Sequence, residues 1–105
     1  MAKTPLEVKL GVVKRGVKEL DMYRREAADE ARRVAELGGP GADGYRHAAQ
    51  LLEESREMVA TTTDRLQVAA AELERLADAA GEAEAAEARE WVERARGALA
   101  QGSSS

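Results

Sequence analysis

The chain has 105 residues and a formal net charge of −4, with no Cys, no Phe, one Trp and one His. A domain of this size buries about 65% of its unfolded surface and has little volume for a deep enclosed pocket, which argues against an enzyme. Without cysteine there is no disulfide framework and no thiolate metal site, and abundant Ala, Glu, Arg and Leu point to an all-α bundle or coiled coil.

The first predicted element opens on "TPLE". Thr4 is placed to cap, Pro5 fits the first helical position, and Glu7 is placed to reach back and complete a capping box. Leu6, Leu10, Val13, Val17, Leu20, Ala27, Ala31 and Val34 then step by three and four, which predicts one amphipathic helix over about 5–37. Arg24 interrupts the stripe; its stem is expected to lie over the bundle with the guanidinium in water. "GGPGADG" at 38–44 stops the helix, since Gly supplies left-handed backbone and Pro40 cannot continue the ladder. The glycines follow a helix, not a strand, and lack the Lys-Ser/Thr of a phosphate loop.

The second helix is predicted over about 44–79. Tyr45, Leu52, Val59, Leu66 and Leu73 recur every seven residues, and Ala48, Ser55, Thr62, Ala69 and Leu76 recur at the complementary positions. This is a heptad seam of roughly 50 Å, long enough to pack antiparallel on the first helix across a short loop. Hydroxyls at Ser55 and Thr62 make its middle weak. After Ala79-Ala80-Gly81, Ala85, Ala88, Val92, Ala95 and Leu99 define a shorter third helix over about 83–100, thin enough on its apolar face that it must dock on the other two, with Trp91 covering the seam edge. Residues 1–101 thus form a single three-helix domain, and 102–105 are expected to be a flexible tail.

Catalytic and ligand-binding patterns are missing from the sequence. His47 alone cannot build a two-histidine zinc site, and Asp43 four residues before it reads as a surface or capping partner. No cofactor and no metal are expected. Residues 1–50 carry ten basic and eight acidic side chains and 51–105 carry six and twelve, so neither half resembles a clustered basic nucleic-acid surface. "MAKTPLEVKLG" builds no apolar signal core and no run approaches the about 20 residues of a membrane span, which makes a cytoplasmic chain without membrane contact the expectation.

Function is therefore sought on the outer helix faces. Met22 and Tyr23 lie beside the first stripe, Leu51 and Met58 flank the second, and Lys14, Arg15, Lys18, Glu53 and Arg56 stand near them. These groups read either as a broadened core with a charged rim or as a binding surface of adaptable methionine, an aromatic and oriented charge.

"GVVKRGVKELDMYRREA" at 11–27, "LLEESREMV" at 51–59 and "RLQVAAAELERL" at 65–76 resemble the first two helices of the tubulin-binding cofactor A family, and "EAREWVERA" at 87–95 resembles its third. The resemblance implies a three-helix bundle that binds β-tubulin folding intermediates or monomers without ATP, in handover with other tubulin-folding cofactors. It also implies contact through helices and not loops. With the surface chemistry it nominates Lys14, Arg15, Lys18, Tyr23, Glu53, Arg56 and Met58 as the β-tubulin contacts, in a cytoplasmic, cytoskeleton-associated monomer. Ala60 stands where the family often carries proline, so the Thr61–Thr63 run is left to bend the second helix. The alternatives are a structural coiled-coil protein acting by self-association, including as a homodimer, or as a helical scaffold, and a membrane-surface amphipathic protein.

Overall fold

The computed structural model describes residues 2–101; the expected tail at 102–105 lies outside the described residues. Three helices follow one another: α1 (Pro5–Leu37), α2 (Tyr45–Ala79) and α3 (Glu82–Gln101). At the start of α1 the Thr4 hydroxyl accepts from the Glu7 amide at 3.2 Å, so half of the capping box forms. Gly38 ends α1 with φ +84°, a left-handed cap that a Cβ would strain, and Gly44 opens α2 with φ +80°. Gly44 therefore takes the capping position that Asp43 was one candidate to fill, and Asp43 and His47 are both exposed.

The predicted stripes supply most of the core, joined by Ala70 and Ala77, while Val17, Ala27, Ala31 and Val34 of the α1 stripe are only partly buried. Val13, Leu20 and Leu73 are fully buried, as are Ala77, Ala88 and Ala95, and Leu66 is nearly so. α3 packs through small residues because its Ala85-Ala88-Val92-Ala95 face lets its backbone approach the α1–α2 pair closely. α2 continues unbroken through Ala60 and the threonines, and Thr62 is buried at the seam. At Gly16 a Cβ would sit 3.0 Å from Leu66 Cδ1, so glycine in mid-helix lets that leucine press against α1.

Ion pairs join every pair of helices: Lys9–Glu72 at 2.6 Å for α1 and α2, Lys14–Glu87 at 2.9 Å for α1 and α3, and Asp78–Arg89 at 3.0 Å for α2 and α3. Arg24 corrects the sequence expectation. Its Nη1 donates to the Ala98 carbonyl at 2.5 Å and is partly buried, because α3 ends beside it and the last carbonyls of a helix lack internal donors.

α3 has 20 residues against 33 and 35, so it covers only the part of the hairpin near the start of α1 and the end of α2. The molecule measures 60 × 30 × 15 Å, with the hairpin tip projecting beyond α3.

Candidate protein-interaction face

One side of the α1–α2 hairpin packs α3, and the other is open. Three hollows run along this open side, each lined by α1 and α2 and none by α3, and Lys3, just before α1, joins the lining of the first. The geometry follows from two ladders with seven-residue spacing: Val8, Arg15, Met22 and Asp29 on α1, and Leu51, Met58, Arg65 and Glu72 on α2. Because the helices are antiparallel, Val8 shares a hollow with Glu72, Arg15 with Arg65, and Asp29 with Leu51 and Met58. The same register sets Met22 opposite Met58.

Of the four large apolar side chains left exposed among the described residues, Val8, Met22 and Met58 follow these phases and Val68 does not. Val8 is 51% exposed, Met22 44%, Met58 36% and Val68 61%, and Val68 stands one heptad before Arg75, which lines the groove. Such side chains rimmed by charge are the usual composition of a contact surface.

The charges are sorted by position. Toward the start of α1 the groove is lined by Lys3, Lys9, Arg15, Arg65 and Arg75 against Glu19 and Glu72. Glu72 is already taken by Lys9, whose hydrogen bond and charge hold the carboxyl below the usual glutamate range. Toward the hairpin tip a hollow of about 360 Å³ is lined by Glu26, Asp29, Glu30 and Glu54 beside Leu51, Ser55 and Met58, and by no basic residue. Asp29 is bridged by Arg32, whereas Glu30 Oε2 is buried without a hydrogen-bond partner.

The seven nominated contacts are spread over more than this face. Arg15 and Met58 line the groove. Lys14 lies on the α3 side, tied to Glu87 and 5.6 Å from the Trp91 ring centroid, while Arg94 stacks on the same ring at 4.6 Å. Lys18 is exposed and lines a cleft between α1 and α3 with Asp21, Arg24 and Arg94. Tyr23 is half-buried. Glu53 and Arg56 are exposed on α2, and Arg56 shares its phase with Ala70 and Ala77, which are buried in the core. The groove adds Val8, Arg65 and the Glu26–Glu30–Glu54 group, which the sequence does not single out. Val8 and Arg65 fall on the seven-residue ladders, whereas the three glutamates carry no such signal.

The fold and this face define a class: a small all-α bundle with an open groove between its two long helices. A family profile described as tubulin binding cofactor A matches residues 1–99, and the chain belongs to that family. It is 36% identical over 90 residues to the tubulin-specific chaperone A of Gallus gallus, covering 84% of this chain and 82% of the relative. The Homo sapiens protein of the same name is 33% identical over the same shares. The tubulin-folding cofactor A of Arabidopsis thaliana is 39% identical over 70 residues, 65% of this chain and 62% of the relative. No solved structure matches the chain significantly. Among the described residues no helix is long and apolar enough to cross a membrane.

Proposed function

We propose that this chain is a tubulin-folding cofactor that binds β-tubulin folding intermediates or monomers and holds them, without ATP, until other tubulin-folding cofactors take them over. The observation that carries the reading is the family match over residues 1–99, which spans all three helices. It is supported by a long surface of exposed methionine and valine between charged borders, since methionine adapts to a partner that is not fully folded. The protein acts in the cytoplasm as a monomer associated with the cytoskeletal pathway through its client.

The test is to mix the full chain with separated α- and β-tubulin, without nucleotide, and resolve the products by native gel and sedimentation. A complex with β-tubulin alone is expected. Capture of neither, or of α-tubulin only, would sink the reading. Concentration-dependent self-association without client capture would favour the structural coiled-coil alternative.

A further inference from the structure

The open α1–α2 face has three properties that together specify an occupant. Its borders are heptad ladders, Val8-Arg15-Met22-Asp29 and Leu51-Met58-Arg65-Glu72, and a groove flanked by two seven-residue repeats is the complement of a third helix. The other face of the same hairpin already receives a helix, α3. From Val8 to Asp29 the groove runs about 30 Å, the length of roughly 20 helical residues. Its charge is polarised along that length, basic at Arg15 and Arg65 and acidic at Glu26, Glu30 and Glu54, with the two methionines between.

From these properties we infer that the groove docks one amphipathic helix of the client, with its basic end in the Glu26–Glu30–Glu54 hollow, its apolar stripe on Met22 and Met58, and its acidic end over Arg15 and Arg65. This rests on the proposed client reading and adds the face, the secondary structure and the polarity of the contact. The acidic hollow suits Lys or Arg in particular. Leu51 and Met58 cover the aliphatic stem of such a residue, and its cationic head supplies the donor that buried Glu30 Oε2 lacks. The reverse polarity would set carboxylates against Glu26 and Glu54 and cations against Arg15 and Arg65, with like charges desolvated at both ends.

The test measures β-tubulin capture by the full chain and by Met58→Asp, Glu26→Lys/Glu54→Lys and Arg15→Glu/Arg65→Glu, with Ala86→Glu on the exposed side of α3 as control. Each groove variant should weaken binding about tenfold or more with helicity and melting unchanged, and Ala86→Glu should bind like the parent. Photo-crosslinkers at Glu19 and Ser55, which line the two ends of the groove, provide a reading independent of those variants' folding. Both should attach to a single helical segment of β-tubulin, Glu19 near its Asp/Glu-bearing end and Ser55 near its Lys/Arg-bearing end.

A parent chain that captures β-tubulin while the groove variants capture it equally well overturns the groove and leaves the client reading standing. A parent that captures no β-tubulin removes both. Crosslinks to unrelated segments, or with the charges reversed, overturn the helix and its polarity. If the groove variants abolish self-association of the chain and leave capture intact, the occupant is a second copy and the inference is wrong.

Discussion

Arg24 and Gly16 show how one side chain, or its absence, is set by a neighbour distant in sequence. Arg24 falls on the apolar stripe of α1, yet its guanidinium closes the open end of α3 at Ala98. Arg24→Met keeps the stem and removes the donor, so a loss of about 1–2 kcal/mol in urea unfolding is expected; an unchanged midpoint would return the guanidinium to water. For the two glycines the expected results diverge. A Cβ at Gly97 would meet nothing within 4 Å, so Gly97→Ala should gain up to about 1 kcal/mol of helix propensity. At Gly16 the same gain is opposed by Leu66 Cδ1, only 3.0 Å from the added carbon and itself buried. Gly16→Ala should therefore raise the melting temperature less than Gly97→Ala, and equal rises would show that Leu66 yields freely. The sequence places a glycine in mid-helix at Gly16 without showing what it accommodates, because Leu66 lies fifty residues away and no periodicity pairs the two.

Among the elements, α1 and α2 were the most legible. Their stripes are long and the Gly-Pro-Gly loop marks the break, so Leu6, Leu10, Val13 and Leu20 on one helix and Leu52, Leu66 and Leu73 on the other stand in the core as their spacing requires. Leu66→Ala and Leu73→Ala should each cost about 2–5 kcal/mol, measured by denaturant midpoint, since both are enclosed on all sides. The candidate site was less legible. Exposed polar phases carry no signal of which face stays open, and the position of α3 decides that Lys14 is occupied by Glu87 while Arg15, one residue on, faces the groove. The tie between α1 and the end of α2 is also pH-sensitive. The folded Glu72 carboxyl titrates below its usual range because of Lys9. A depressed acid stabilises the fold above its unfolded pKa of about 4.3 and loses that contribution as pH falls through the lower, folded value. The stability difference between the parent and Glu72→Gln should thus be largest near neutrality and shrink below about pH 4. A difference independent of pH would mean that the pair contributes packing and not charge.

At the scale of the molecule, burial is distributed unevenly along the long axis. The buried residues of α1 end at Leu20, and those of α2 before Thr62 are only Ala48 and Leu52, whereas α3 and the hairpin segments it covers hold the rest. Each large side chain removed from water contributes about 1.5–3 kcal/mol, so the tip beyond α3 is held by far less apolar burial than the body. Local opening takes the weakest cooperative unit first. Native-state hydrogen exchange should therefore show the amides of 25–37 and 45–58 opening at lower free energy than those of 66–77 and 85–95, with separate denaturant dependence for the two ends. Uniform protection along all three helices would mean that the hairpin opens as one unit and that α3 does not divide it. The acidic hollow with Glu30, Leu51 and Met58 lies in the half with less apolar burial. A client helix laid along the groove would bridge tip and body, so binding β-tubulin should raise protection most at 25–37 and 45–58. If protection rises only in the body, the client does not reach the tip, and its contacts must lie at the Arg15–Arg65 end or on the α3 side.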